Sequence, residues 1–129
     1  MVIVDTSAWI EYFRDGVPTV VERVEKHLDK DLIGIGDLIY CEVLQGISRE
    51  SERREVTELL HALPHYGMVG FEMAERSAAN YRLLRTRGVT VRKTTDVLIG
   101  TFCVVHDFGL IHNDRDFDQM AMHIGLRIV

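Results

Sequence analysis

Four acids in this chain, Asp5, Glu42, Asp96 and Asp114, are spaced so that folding could bring them together, and a fifth, Asp116, lies two residues past the last. Converging carboxylates repel one another and need a counter-ion. Hard divalent cations with oxygen ligands meet that need, and Mg²⁺ or Mn²⁺ suits an all-carboxylate set better than zinc. Two such ions about 4 Å apart can activate a water and stabilise the leaving oxygen in phosphodiester hydrolysis. The stretch LIHNDRDFDQM also carries the alternation Asp114-x-Asp116-x-Asp118. A calcium loop starting at Asp114 needs glycine sixth and a bidentate glutamate twelfth. Gln119 and Gly125 stand there, which excludes it.

Each acid also has a plain structural role. Asp5 follows the β-branched run VIV and precedes Thr6-Ser7, so a turn or helix cap would explain it. Thr6 and Ser7 are competent caps themselves, which shifts the balance towards a site. Glu42 fits the polar stripe of the amphipathic segment DLIYCEVLQGI. Asp96 opens TTDVLIGTFCVV, where an acid in the first turn favours the helix dipole; for this residue both readings stay open. One of Asp114 and Asp116 could cap RDFDQMAMHIG, and only one is needed. Asp118 falls inside that helix and is expected to face water.

The elements that must position these acids alternate along the chain. Strands are expected at 2–5, 33–35, 68–71 (MVGF), 110–112 and in the closing LRIV. Helices are expected from Ser7, from Pro18 to about 30, from Asp37, from Ser48, over EMAERSAANYRLLRTRG up to Gly88, from Thr94 or Thr95 up to Gly109, and over RDFDQMAMHIG. Short apolar strands alternating with helices predict a parallel α/β sheet with helices on both faces. In such sheets sites form beyond the carboxyl ends of strands, where Asp5 and Asp114 fall.

Bulk composition agrees with one domain spanning 1–129. The chain is 47% hydrophobic and 27% charged, with no apolar run near the ~20 residues of a membrane span. The start MVIVDTSAWIEYF has no basic region and is not a signal peptide, so a cytoplasmic protein is expected. Cys41 and Cys103 both sit in apolar company and read as buried, reduced thiols. The net charge of −5 disfavours a generic nucleic-acid binder. Four site carboxylates would account for −4 of it, so the remainder of the chain is nearly neutral. The densest basic run is YRLLRTRGVTVRK, with Arg82, Arg85, Arg87, Arg92 and Lys93 just before Asp96. It suits both a helix C-terminus and a flank for phosphate. Trp9 and Phe13 share a helix face and are expected to pack in a core or dimer interface. Pro64 separates His61 from His65 and should spoil a shared metal-binding face. A haloacid-dehalogenase-type phosphatase would need a second acid at Ser7.

Taken in order, VDTSAWIEYFR, CEVLQGI, TTDVLIGTFCVVHDFG and LIHNDRDFD resemble the PIN-domain ribonucleases, and more narrowly the VapC-type toxins of bacterial toxin–antitoxin pairs. The resemblance runs end to end. It implies a PIN-like three-layer sandwich with about five parallel strands. It implies one or two Mg²⁺ or Mn²⁺ ions on Asp5, Glu42, Asp96 and Asp114, with Asp116 as a secondary ligand and Thr6 and Asn113 as supporting polar groups. Cleavage of a structured RNA, such as a tRNA or ribosomal loop, follows from the same likeness; the basic run beside Asp96 makes Arg92, Lys93 and Arg85 the expected RNA contacts. The likeness also implies a homodimer and a VapB-type antitoxin seated near the site and embraced by the segment from Gly46 to about Gly67. Asn113 departs from the Thr or Ser common before the fourth acid, and Gly100 stands where alanine is common. The competing reading is a PIN-fold module that binds protein or RNA without cutting.

Overall fold

A computed structural model describes all residues, 1–129. Four strands, β1 (Val2–Val4), β2 (Ile33–Gly36), β3 (His65–Tyr66) and β4 (Gly109–Ile111), form one sheet in the order β3-β2-β1-β4. All three pairings are parallel, with Ile3 beside Gly34 and Leu110, and Ile35 beside His65. Seven helices accompany them: α1 (Thr6–Phe13), α2 (Pro18–Leu28), α3 (Asp37–Gln45), α4 (Glu50–His61), α5 (Phe71–Thr86), α6 (Thr94–His106) and α7 (Asp116–Ile124). β1 is central and wholly buried, and its register brings the carboxyl ends of the strands to one edge.

The sheet has four strands where about five were expected. The closing LRIV touches β4 only through a single parallel bridge, Ile128 to Leu110. The expected strand 68–71 is also displaced. Pairing occurs earlier, at His65–Tyr66, led by the Ile35 amide on the Pro64 carbonyl (2.8 Å). Gly70 adopts φ +121°, and Phe71 begins α5 with 93% of its surface exposed. Met68 is fully buried as a plug beneath Gly36, where a Cβ would collide with its thioether. The apolar run MVGF thus contributes one core side chain and then turns.

Caps differ from expectation in instructive ways. Asp5, not Thr6 or Ser7, is the N-cap of α1. No threonine side chain caps α6, whose cap position is Lys93, and the helix closes on Asp107 in a left-handed conformation rather than on Gly109. Gly88 does follow α5 with φ +80°. Cys103 is buried as expected and its thiol is pushed up to about 12 by desolvation. Cys41 is exposed, because it lies on the outer flank of α3. Trp9 is fully buried and stacks on Phe13 at 5.4 Å, so its role is in the core.

Candidate active site

The site begins with β1. Three buried β-branched residues deliver Asp5 to the carboxyl edge, where its backbone leaves the strand and α1 starts. The Asp5 carboxylate then divides its work. Oδ2 accepts from the Ser7 amide (2.9 Å) and from the Ser7 hydroxyl (2.6 Å). Oδ1 is buried and has no hydrogen-bond partner. Cap and candidate ligand are therefore two oxygens of one side chain.

The other acids arrive from three separate elements. Asp5, Glu42, Asp96 and Asp114 line one small cavity of about 120 Å³ together with Thr6, Ser7 and Lys93. Glu42 enters from the second turn of α3, and the Thr6 hydroxyl donates to its Oε1 at 2.9 Å. Asp96 enters from the first turn of α6, where an acid suits the helix dipole, and is 5% exposed. Asp114 precedes α7, and its Oδ1 accepts from the Asp116 amide at 3.0 Å. Carboxylate oxygens of Asp96, Asp114 and Asp116 all lie within 4.8 Å of one another.

Crowding and burial change the acidity of these groups. Desolvation, then the charges of Asp5 and Asp114, raise Asp96 to about 7, against a smaller opposing pull from Lys93. Burial raises Asp5 as well, partly offset by the bonds from Ser7. Two carboxyls that burial and neighbouring charge make harder to ionise, one of them with a buried unpartnered oxygen, are what a cation would relieve, and an all-oxygen donor set fits Mg²⁺ or Mn²⁺.

Of the expected basic residues, Lys93 lines the acidic cavity. Arg92 lies in the adjoining groove with Tyr81 and Arg82. Arg85 does not line the cavity and donates to the Tyr81 hydroxyl at 3.5 Å. Asn113 turns its side chain to Glu11 (3.2 Å), and its amide donates to the Ser7 hydroxyl at 2.9 Å. Asp118 is exposed but not free, since His112 Nε2 meets it at 3.2 Å. The Asp114 amide donates to His112 Nδ1, so the neutral ring carries its hydrogen on Nε2, facing Asp118.

Sequence reasoning passed over Ser7 as a site residue and did not single out Glu11. Glu11 is 4% exposed, holds Arg14 through two bonds of 2.6 and 2.7 Å and accepts from Asn113. Its carboxyl is held below the usual range, first by the Arg14 hydrogen bond. The only signal in the sequence is an i,i+3 acid–arginine pair, which ordinarily marks a solvated face.

Comparison with known proteins fits this geometry. The PIN domain family matches residues 2–122. The VapC ribonuclease Mb1587 of Mycobacterium bovis is 31% identical over 123 residues, covering 94% of this chain and 92% of its own length. Ribonuclease VapC11 of Mycobacterium tuberculosis aligns with the same identity and coverage. Among solved structures, VapBC2 from Rickettsia felis bound to a DNA fragment from their promoter gives a TM-score of 0.78 at 13% identity, covering 100% of this chain and 98% of that one. DNA-bound VapBC from Salmonella typhimurium gives 0.78 at 18% identity, with the same coverage. At these identities the two structures establish a common fold.

Proposed function

The chain belongs to the PIN-domain family, and we propose on that premise that it is a VapC-type toxin, a divalent-metal-dependent endoribonuclease held in check by a VapB-type antitoxin. The observation that carries this reading is the convergence of Asp5, Glu42, Asp96 and Asp114 on one cavity, with Asp5 Oδ1 buried and unpartnered.

Asp5, Asp96 and Asp114 are the proposed holders of one or two Mg²⁺ or Mn²⁺ ions, with Asp116 as a secondary ligand and Glu42 facing them across the cavity. When bound, such an ion supplies a Lewis acid for a phosphate oxygen and a water activated near neutral pH. The chain's own groups do the positioning. Ser7 locks one Asp5 oxygen and leaves the other without a protein partner. Thr6 fixes Glu42. Lys93, at the cavity rim, offsets the negative field and offers a cation to an incoming phosphate, with Arg92 next along the groove. Arg85, bonded to Tyr81 of that groove's lining, is a contact for RNA running along it. The substrate is a structured RNA such as a tRNA or ribosomal loop, met in the cytoplasm; no helix is long and apolar enough to cross a membrane.

A partner site adjoins the acids. Ile10, Phe13, Val43 and Ile47 line a groove of about 300 Å³ that shares Glu42 with the acidic cavity. An antitoxin segment lying there would cover the acids. Exposed Val69 and Phe71 at the start of α5 offer apolar surface for pairing with a second copy.

The test is cleavage of total bacterial RNA by antitoxin-free protein, with Mn²⁺, with EDTA, and with Asp5→Asn alongside. A discrete cut lost in both controls is expected. No cut by folded wild-type protein would favour a binding module instead.

A further inference from the structure

A second cavity opens at the same edge of the sheet, across α3 from the acids. It measures about 260 Å³ and is lined by Ile35, Asp37, Tyr40, His61, His65 and Tyr66. That is smaller than the ~300–1,000 Å³ of sites for drug-sized ligands, and suits one flat heterocycle. Tyr40 and Glu42 stand about 200° apart around α3, at about 100° per residue, so the first turns of this helix form a ridge between the two cavities. Asp5 and Asp37 follow β1 and β2, and β3 is the next strand over. Two strand spacings amount to about 10 Å. At ~3.4 Å per stacked nucleotide, that is roughly three nucleotides of single strand.

This cavity holds two fixed acceptors, beside the Tyr40 and Tyr66 hydroxyls and the His61 ring, which can donate or accept. Asp37 Oδ1 already accepts from the Leu38 and Met68 amides, both at 2.9 Å, which fixes the carboxylate and leaves Oδ2 without a protein donor. His65 Nε2 lies 2.8 Å from the His61 carbonyl. A carbonyl only accepts, so Nε2 carries the hydrogen and Nδ1 of the neutral ring is an acceptor. The two imidazoles stand edge to face at 4.8 Å, and Tyr40 adds an aromatic ring. The lining therefore offers flat walls, two fixed acceptors and hydroxyls able to donate, and suits a flat ligand that presents adjacent N–H donors beside an acceptor. Among the RNA bases, guanine presents N1–H and the 2-amino group side by side. Stacking on aromatic rings with hydrogen bonds to the Watson–Crick edge is how unpaired RNA bases are read.

We propose that this cavity is a guanine-binding subsite that selects RNA bearing an unpaired guanine a few nucleotides from the scissile phosphate. The choice of RNA as ligand rests on the ribonuclease reading above; base binding itself does not require cutting.

The test separates the two. The full-length protein, in EDTA, is titrated with GMP, IMP, AMP and UMP while side-chain and amide NMR signals are followed. GMP is expected to shift Tyr40, His61 and His65, leaving Asp5 and Asp96 unmoved. IMP, lacking the 2-amino group, should bind more weakly, and AMP and UMP weaker still. Asp37→Asn keeps an oxygen for the Leu38 and Met68 amides but replaces the free acceptor with a donor, and should weaken GMP roughly tenfold or more. His65→Ala, at an exposed position, is expected to act in the same direction. Equal shifts with all four nucleotides, no GMP shift at millimolar concentration, or shifts confined to the acidic cavity would overturn the proposal. If GMP binds as described but wild-type protein cuts no RNA with Mn²⁺, the subsite stands and the ribonuclease reading falls.

Discussion

The Ser7 hydroxyl joins Asp5 to Asn113, donating to Asp5 Oδ2 at 2.6 Å and accepting from the Asn113 amide at 2.9 Å. One side chain thus couples the β1–α1 junction to the β4–α7 junction, and so Asp5 to its neighbour Asp114. Ser7→Ala should cost about 1–2 kcal/mol of stability, from two lost hydrogen bonds. It also removes a bond that favours ionised Asp5. Weaker Mn²⁺ binding is expected alongside the lower stability, read by calorimetry and denaturant melts. A destabilised variant with unchanged Mn²⁺ affinity would reduce Ser7 to a helix-start residue.

Asp96 gives the metal-free protein a defined pH dependence. Its carboxyl is raised from 3.8 to about 7, so the folded state holds the proton more tightly than the unfolded state. The stability this contributes is complete below about pH 4 and is lost as pH rises through 7. Three units correspond to a loss on the order of 4 kcal/mol across that window. Asp96→Asn should flatten this part of the stability profile and raise stability at pH 8, in melts run with EDTA. Mn²⁺ should stabilise wild type more at pH 8 than at pH 5, because protons compete for the same oxygens. A metal-free wild type no less stable at pH 8 than at pH 5 would contradict the raised carboxyl.

Glu11 and Arg14 look like a surface pair, but the Glu11 carboxylate is buried beneath an exposed Arg14. Arg14 lowers the Glu11 carboxyl, so the stability from this contact is present above about pH 4.5 and fades as pH falls through the folded value. Arg14→Gln should lower the melting temperature at pH 7, and the gap to wild type should narrow in acid. A constant gap from pH 7 to pH 3 would mean that Arg14 acts by packing alone.

Two glycines differ in the side chain that a Cβ would meet. A Cβ at Gly34 would collide with the Tyr66 ring, with Cδ2 at 2.9 Å, and would press the Pro64 carbonyl at 3.4 Å. Tyr66 is held there by Phe108 at 5.2 Å, so Gly34→Ala should cost about 1–3 kcal/mol. At Gly100 the obstacle is Met120 Sδ at 2.5 Å, an atom of an unbranched, flexible side chain. Gly100→Ala gains up to about 1 kcal/mol of helix propensity against that shift and should be near neutral. Denaturant midpoints of the two variants check the contrast.

The sequence made some of this plain and hid the rest for physical reasons. Asp5 and Asp114 were legible because strand ends in a parallel sheet are marked by where the apolar runs stop. Asp96 was ambiguous because a first-turn acid looks the same whether its helix is buried or not. Glu42 is indistinguishable from a polar stripe until Thr6, 36 residues away, is seen to hold it. β3 escaped notice because two polar edge residues carry no hydrophobic pattern, while the nearby MVGF mimics a strand and supplies only Met68 to the core. Glu11 was hidden because an i,i+3 pair reads as solvated until Asn113, 102 residues away, is seen to donate to its buried carboxylate.

The most direct measurement is calorimetric titration of Mn²⁺ into wild type, Asp5→Asn and Asp96→Asn at pH 7.5, each shown to be folded. Binding to wild type that is lost or reduced at least about tenfold in both variants is expected, since each removes a charged oxygen ligand. Equal affinity in all three proteins would contradict the acidic cavity as the metal site and, with it, the proposed mechanism.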